Sequence, residues 1–132
     1  MSKLPELALL LSYENELVIK QYCKDHPDIT PEQAKQIFQD LLGWFWVSVF
    51  RLRKKLKTPM LTSLLRLDHM WHVFILHTRM YADFCRDFLG EYFHHEVEAH
   101  DQESVISPDE LSEFLSDCYD HLGEAWVVRN FG

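Results

Sequence analysis

The stretch from Leu41 to Phe50, Leu-Leu-Gly-Trp-Phe-Trp-Val-Ser-Val-Phe, constrains the fold of this chain more than any other. On a helical wheel Trp44, Phe45, Trp46, Val47, Val49 and Phe50 cover nearly the full circumference. A helix that is apolar all round must be covered on all sides. The run is about half of the ~20 residues needed to span a bilayer, so it belongs in a protein core. Two solutions are open. Gly43 and a docked C-terminal tail can let the helix sit centrally. Alternatively Trp44, Trp46 and Phe50 remain as an exposed aromatic patch that pairs with a protein partner or a second copy, a two-fold homodimer being the simplest case.

The rest of the sequence supplies helices to do the covering. The 132 residues make one domain, 1–132, and hydrophobic residues are 47% of them, enough for a real core. Only four glycines and five prolines are present, which favours helices over many short strands. The punctuation predicts four helices. The first runs from Pro5 to about Lys24 and stops before His26-Pro27. Thr30-Pro31-Glu32-Gln33 is a capping box that opens the second, which carries the aromatic run to about Lys57. After Thr58-Pro59, Thr62 or Ser63 caps a third helix ending near Gly90. Glu91 to Ser107 is a long His/Glu-rich loop, of a length that is often functional. Ser107-Pro108-Asp109-Glu110 starts the fourth helix, which ends before Gly123. The tail from Glu124 to Gly132, with Trp126, Val127, Val128 and Phe131, should dock. The expected class is an all-α, single-domain bundle of about four helices with a docked tail.

Cys23, Cys85 and Cys118 lack any C-x-x-C spacing, which suits reduced thiols in a cytosol-like compartment. Met1 to Glu6 holds one lysine, and Glu14 and Glu16 soon interrupt the apolar stretch, a poor signal peptide. The expected location is the cytoplasm, or a host cytosol reached by a non-classical secretion route. The net charge of −8 is unevenly spread. From Gly90 through Glu124 there are eleven carboxylates and no Lys or Arg, whereas Arg51, Arg53, Lys54, Lys55 and Lys57 crowd into seven residues. That basic run either complements a helix C-terminus or binds phosphate. The acidic total argues against nucleic acid as a partner, and the acidic third suits a basic protein surface.

Five of the eight histidines lie between Leu67 and His95. Placed on one continuous helix, Asp68, His72, Ile75, Arg79, Asp83 and Arg86 share a face, with Asp68–His72 and Arg79–Asp83 as i,i+4 pairs. Met70, Phe74, His77, Tyr81, Phe84 and Cys85 share the opposite face, so His72, His77 and Cys85 cannot meet on one ion. A metal site would instead draw on Asp68 and His72 with His94, His95 or His100, a donor set that zinc accepts. The plainer alternative is a hydrogen-bonded Asp–His pair with no cofactor. His77 suits a satisfied core histidine and Cys85 a small hydrophobe. No G-x-S-x-G, H-E-x-x-H or glycine-rich phosphate loop occurs, so no catalytic residues are assigned.

The run Asp68-His69-Met70-Trp71-His72, continued by Ile75-Leu76, Thr78, Tyr81, Phe84-Cys85, Gly90 and His94-His95, resembles the signature of the glycine-rich-domain-containing-protein-like family, in its short bacterial type. The likeness covers positions 58–95, and Gly123 and Trp126 are similar to that family's C-terminal end. The glycine-rich tail of its larger members is missing here. The resemblance marks Asp68, Trp71, His72, Thr78, Tyr81, Cys85 and His95 as motif positions. It implies a structural role for them, a Trp/Tyr strap with an Asp–His latch, and brings no settled enzymatic chemistry. The expected function is therefore a non-catalytic binding protein that regulates or inhibits a protein partner, of the effector type found in intracellular bacterial pathogens. The alternative is a zinc-binding protein or small metal-dependent hydrolase using Asp68, His72, His94 and His95.

Overall fold

A computed structural model of the chain describes residues 4–95 and 106–132, all of them helical or in links between helices. The elements are α1 (Leu7–Leu11), α2 (Glu16–Asp25), α3 (Pro31–Leu52), α4 (Leu65–Leu76, entered by a 3-10 turn at Thr62–Leu64), α5 (Thr78–Phe84, continued by a π turn at Cys85–Leu89), α6 (Pro108–Leu122) and α7 (Glu124–Phe131). The all-α class holds. The count of four does not, because two of the predicted helices break and the tail forms a helix of its own.

Each break has a local cause. The expected helix from Pro5 to Lys24 is interrupted by two residues that compete for backbone hydrogen bonds. Ser12 Oγ donates to Leu9 O at 2.5 Å, and extended Asn15 caps α2 by accepting from Val18 N at 3.1 Å. The Thr30–Gln33 capping box forms in both directions, at 3.1 and 2.9 Å. α3 then ends at Leu52, short of Lys57, because Lys55 turns left-handed (φ 62°) and Leu56 N bonds back to Arg51 O. Neither Thr62 nor Ser63 caps α4. The expected third helix breaks at His77 (φ −85°, ψ 66°), whose O restarts the chain by accepting from Tyr81 N. Instead of a core histidine, His77 is half-buried and its Nδ1 lies 3.0 Å from Val73 O. The tail docks as expected, but as a helix of its own.

α3 lies at the centre, with α1, α2, α4 and α6 packed against it. Leu41, Leu42, Phe45 and Val47 are fully buried. Gly43 is a point of close packing: a Cβ there would lie 3.1 Å from Leu122 and 3.3 Å from Trp126. The expectation of an exposed aromatic patch is corrected. Trp44 is 3% exposed and packs on Trp71. Half-buried Trp46 and Phe50 stack on each other at 5.5 Å, and the His121 ring of α6 lies against both. Trp46 Nε1 also donates to Pro5 O at 2.8 Å. The chain's own N-terminal segment and α6 supply the cover.

Two polar clamps fasten the C-terminal helices to α3. Arg51, expected in a basic patch, is instead buried and pairs with Asp117 of α6 at 2.6 Å while donating to Lys57 O. Asp40 is buried too. Its carboxylate accepts a two-point grip from Arg129 at 3.0 and 2.8 Å, and further bonds from Asn130 and Gln36. Its carbonyl accepts from Trp126 Nε1. Asp40→Ala leaves several donors without an acceptor and should lower stability by about 2–3 kcal/mol. Urea unfolding measures the loss. Hydrogen exchange should show α7 amides losing protection before those of α3, and unchanged α7 protection would contradict the clamp.

Candidate functional site

The motif residues gather where the chain leaves the π turn. Gly90, left-handed at φ 87°, turns the backbone so that residues 91–95 run back along α4. Phe93 then stacks on Trp71 at 5.4 Å, and the His95 ring lies 4.4 Å from the same indole. Trp71 Nε1 donates to the Tyr81 hydroxyl at 2.9 Å, and that hydroxyl donates in turn to Phe93 O. His95 Nε2 lies 2.7 Å from Asp68 Oδ1. Cys85, fully buried, sits beside the Tyr81 hydroxyl and the Phe93 backbone.

Asp68, Trp71, Tyr81, Cys85 and His95 thus form one interlocked knot. The Asp–His latch joins Asp68 to His95 and not to His72, which is exposed one turn away on α4. Thr78 is exposed at the start of α5, and His94 is exposed with its ring 4.6 Å from Tyr92. The expected Arg79–Asp83 pair is replaced by Arg86, which reaches Asp83 at 3.2 Å and Asp87 at 3.1 Å. Among the described residues no three His, Cys, Asp or Glu are grouped to hold a metal, so Asp68, His72, His94 and His95 do not form the zinc set of the alternative reading. His100 and most of the long loop lie outside the described residues. No helix among those described is long and apolar enough to cross a membrane.

The environment of the knot suppresses ionisation. Burial pushes the Tyr81 hydroxyl far above its usual range, with nearby Cys85 adding to the shift. Burial likewise raises the Cys85 thiol, against the opposing bonds from Phe93 and Tyr81. A protonated, buried thiol is a poor nucleophile. The Asp68–His95 pair is partly open to solvent, but no ionised nucleophile stands with it in the knot. What this arrangement does best is hold residues 91–95 against α4.

Sequence reasoning missed Phe93, whose backbone and ring complete the knot. Its place beside His94-His95 was the available signal. Two concavities also escaped notice. One, of about 350 Å³, lies between the α1–α2 link and α5, and the other, about 280 Å³, is lined by residues including Tyr22, Gln33, Asp40, Arg66 and Arg129. Neither includes a residue of the knot.

The chain is matched over residues 8–115 by the model of the UCP032817-like family and belongs to that family. This corrects the assignment to the glycine-rich-domain-containing-protein-like family. The signature behind it is short and largely aromatic, and such a pattern reports how a helix pair is strapped together. No curated protein and no solved structure shows a match to the chain.

One prediction tests the knot and a second the buried thiol of α6. Tyr81→Phe leaves the Trp71 donor and the Phe93 carbonyl unpaired and should destabilise by about 2–4 kcal/mol in urea unfolding. A cost below about 0.5 kcal/mol would mean that the hydroxyl holds nothing. The second concerns pH. Burial pushes the Cys118 thiol from its ordinary 9.0 up to about 12, with Asp117 raising it and Arg51 opposing. Its contribution is fully present below pH 9 and is lost as pH rises towards about 12, so stability should fall across that window. Urea midpoints measured against pH should fall less steeply in Cys118→Ala, and equal slopes would count against the assignment.

Proposed function

We propose that this chain is a non-catalytic helical binding protein that engages, and so regulates or inhibits, a protein partner with a basic surface. The observation that carries this reading is the outer face of α6. Asp109, Glu113, Ser116 and Asp120 recur there at helical spacing, all exposed, with Glu110 beside them. Tyr119 is 54% exposed next to that stripe, an aromatic side chain of the kind interfaces favour. α6 contains no lysine or arginine, and Arg51 neutralises only the inward-turned Asp117. A single-sign stripe of this kind steers partners of opposite charge. The internal employment of the motif residues fits the same reading.

The test is affinity capture from extracts of the source cells with wild type and with the double variant Glu113→Lys/Asp120→Lys. Both positions are exposed, so the fold should tolerate the change within about 0.5 kcal/mol. Wild type should retain a stoichiometric protein whose binding weakens steeply with salt, and the double variant should lose it by at least about tenfold. A partner held equally by both proteins, or no stoichiometric partner, would sink the reading.

A further inference from the structure

We propose that the concavity between the α1–α2 link and α5 binds a small organic cation with two ammonium ends, an α,ω-diamine or polyamine. This site is separate from α6 and does not rest on the partner proposed above. Its floor is aromatic. Tyr13 lies 4.8 Å from Phe84 and 5.5 Å from Phe88, and the two phenylalanines are 5.4 Å apart. Leu17, 52% exposed, and Met80, 36% exposed, extend this apolar surface. Asn15 ties the two walls together: its amide donates to the Tyr13 hydroxyl at 3.1 Å and contacts Met80 Sδ at 3.4 Å. The floor is therefore held in place before any ligand arrives.

The charged residues of its lining are all acidic. Glu14 and Glu16 stand on the wall formed by the link and the start of α2, and Asp83 and Asp87 on the wall formed by α5 and its π turn. Among the described residues no lysine, arginine or histidine lines the concavity. Arg86 bonds Oδ1 of Asp83 and of Asp87 without joining the lining, so both Oδ2 atoms remain without a donor among the described residues. Neither Glu14 nor Glu16 has a described partner. The two aspartates also act on the floor: after burial, their charge helps raise the Tyr13 hydroxyl, against the Asn15 bond.

This layout places a pair of carboxylates on each wall with an apolar floor between, and the volume of about 350 Å³ suits a small ligand. A diamine matches both features. Its methylenes cover the rings and its ammonium groups meet the two rims, with cation–π attraction added at the aromatic faces. An anion is repelled. A bare divalent ion needs several oxygens converging on one point, and no metal-holding group occurs among the described residues. A single lysine side chain of a partner protein would satisfy one wall only.

Calorimetric titration of the whole chain with 1,5-diaminopentane and with spermidine, at low salt, is the direct test. Pentylamine is the one-ended control. Both diamine-type probes should bind at least about tenfold more tightly than pentylamine and raise the thermal midpoint as their concentration increases. Asp83→Asn/Asp87→Asn and Glu14→Gln/Glu16→Gln change exposed groups and should each weaken diaminopentane binding by about tenfold, with helical content unchanged by circular dichroism. Four outcomes would overturn the proposal: no heat and no midpoint shift at about 10 mM diamine, equal affinity for pentylamine, binding that survives replacement of all four carboxylates, or a tetralysine peptide binding more than about tenfold tighter than spermidine, which would make the concavity a protein-docking surface.

Discussion

A helix without a polar face cannot lie on the outside of anything, and α3 is such a helix over its second half. Fully buried Leu41, Leu42, Phe45 and Val47 point in different directions around its axis. Each such side chain contributes about 1.5–3 kcal/mol only if every one of those directions is dry. A chain this short must therefore spend its other helices as cover. α1 and α2 close one side, α4 another, and α6 with α7 closes the side on which Gly43 leaves room. The break at Ser12–Asn15 belongs to the same requirement, because a straight helix from Pro5 to Lys24 could not wrap a cylinder. The cost is visible in polar atoms stranded along α3. Trp44 Nε1, Ser48 Oγ and Arg51 Nε, at i, i+4 and i+7, are buried with no partner among the described residues. Each such atom costs about 1–3 kcal/mol, and apolar burial outweighs them.

The knot at Trp71 solves a second problem, that of anchoring a chain that has just left a helix. Across residues 91–95 the backbone is not helical, and its carbonyls need donors. Tyr81 supplies one to Phe93, and Trp71 gives the hydroxyl its own donor, so the backbone is fixed by side chains of α4 and α5. The π turn at Cys85–Leu89 shifts the register of the chain as it approaches Gly90. Residues 93–95 are thereby held at two points, stacked on the indole through Phe93 and His95 and latched to Asp68.

Much of this was legible in the sequence, for reasons that can be named. The apolar circumference of α3, the Thr30–Gln33 box, the Ser107 cap and the docking of Trp126 are local or compositional signals, and each holds. The strap of Trp71 and Tyr81 was visible as a motif, though its family was not. What spacing could not give was the particular partner a polar side chain takes once distant segments meet. Asp68 has a histidine one turn away at His72, and spacing alone favours it. The partner it takes is His95, 27 positions on, because the turn at Gly90 delivers it. The same holds for Arg51, which belongs to a run of cations by sequence and to Asp117 by fold. The concavity beside Asn15 depends on a helix break that a continuous apolar pattern hides.

The fold also sorts charge by function. The cations best placed to neutralise the surface are taken up in holding helices together: Arg51 on Asp117, Arg129 on Asp40, Arg66 on the carbonyl of Arg129 and on Asn130. Lys54 lies over the Phe50 ring. The carboxylates that these cations do not meet stay outside, in the stripe on α6 and around the rim beside Tyr13, where Arg86 alone pairs with Asp83 and Asp87 among the described residues. Two faces thus become more negative than a net charge of −8, spread evenly, would make them. Such concentrated fields reach about a Debye length into solution and attract cations over that range. Structural use of these basic residues and the exposure of the acidic ones are consequences of one arrangement: an arginine that holds two helices together does not screen the acidic faces.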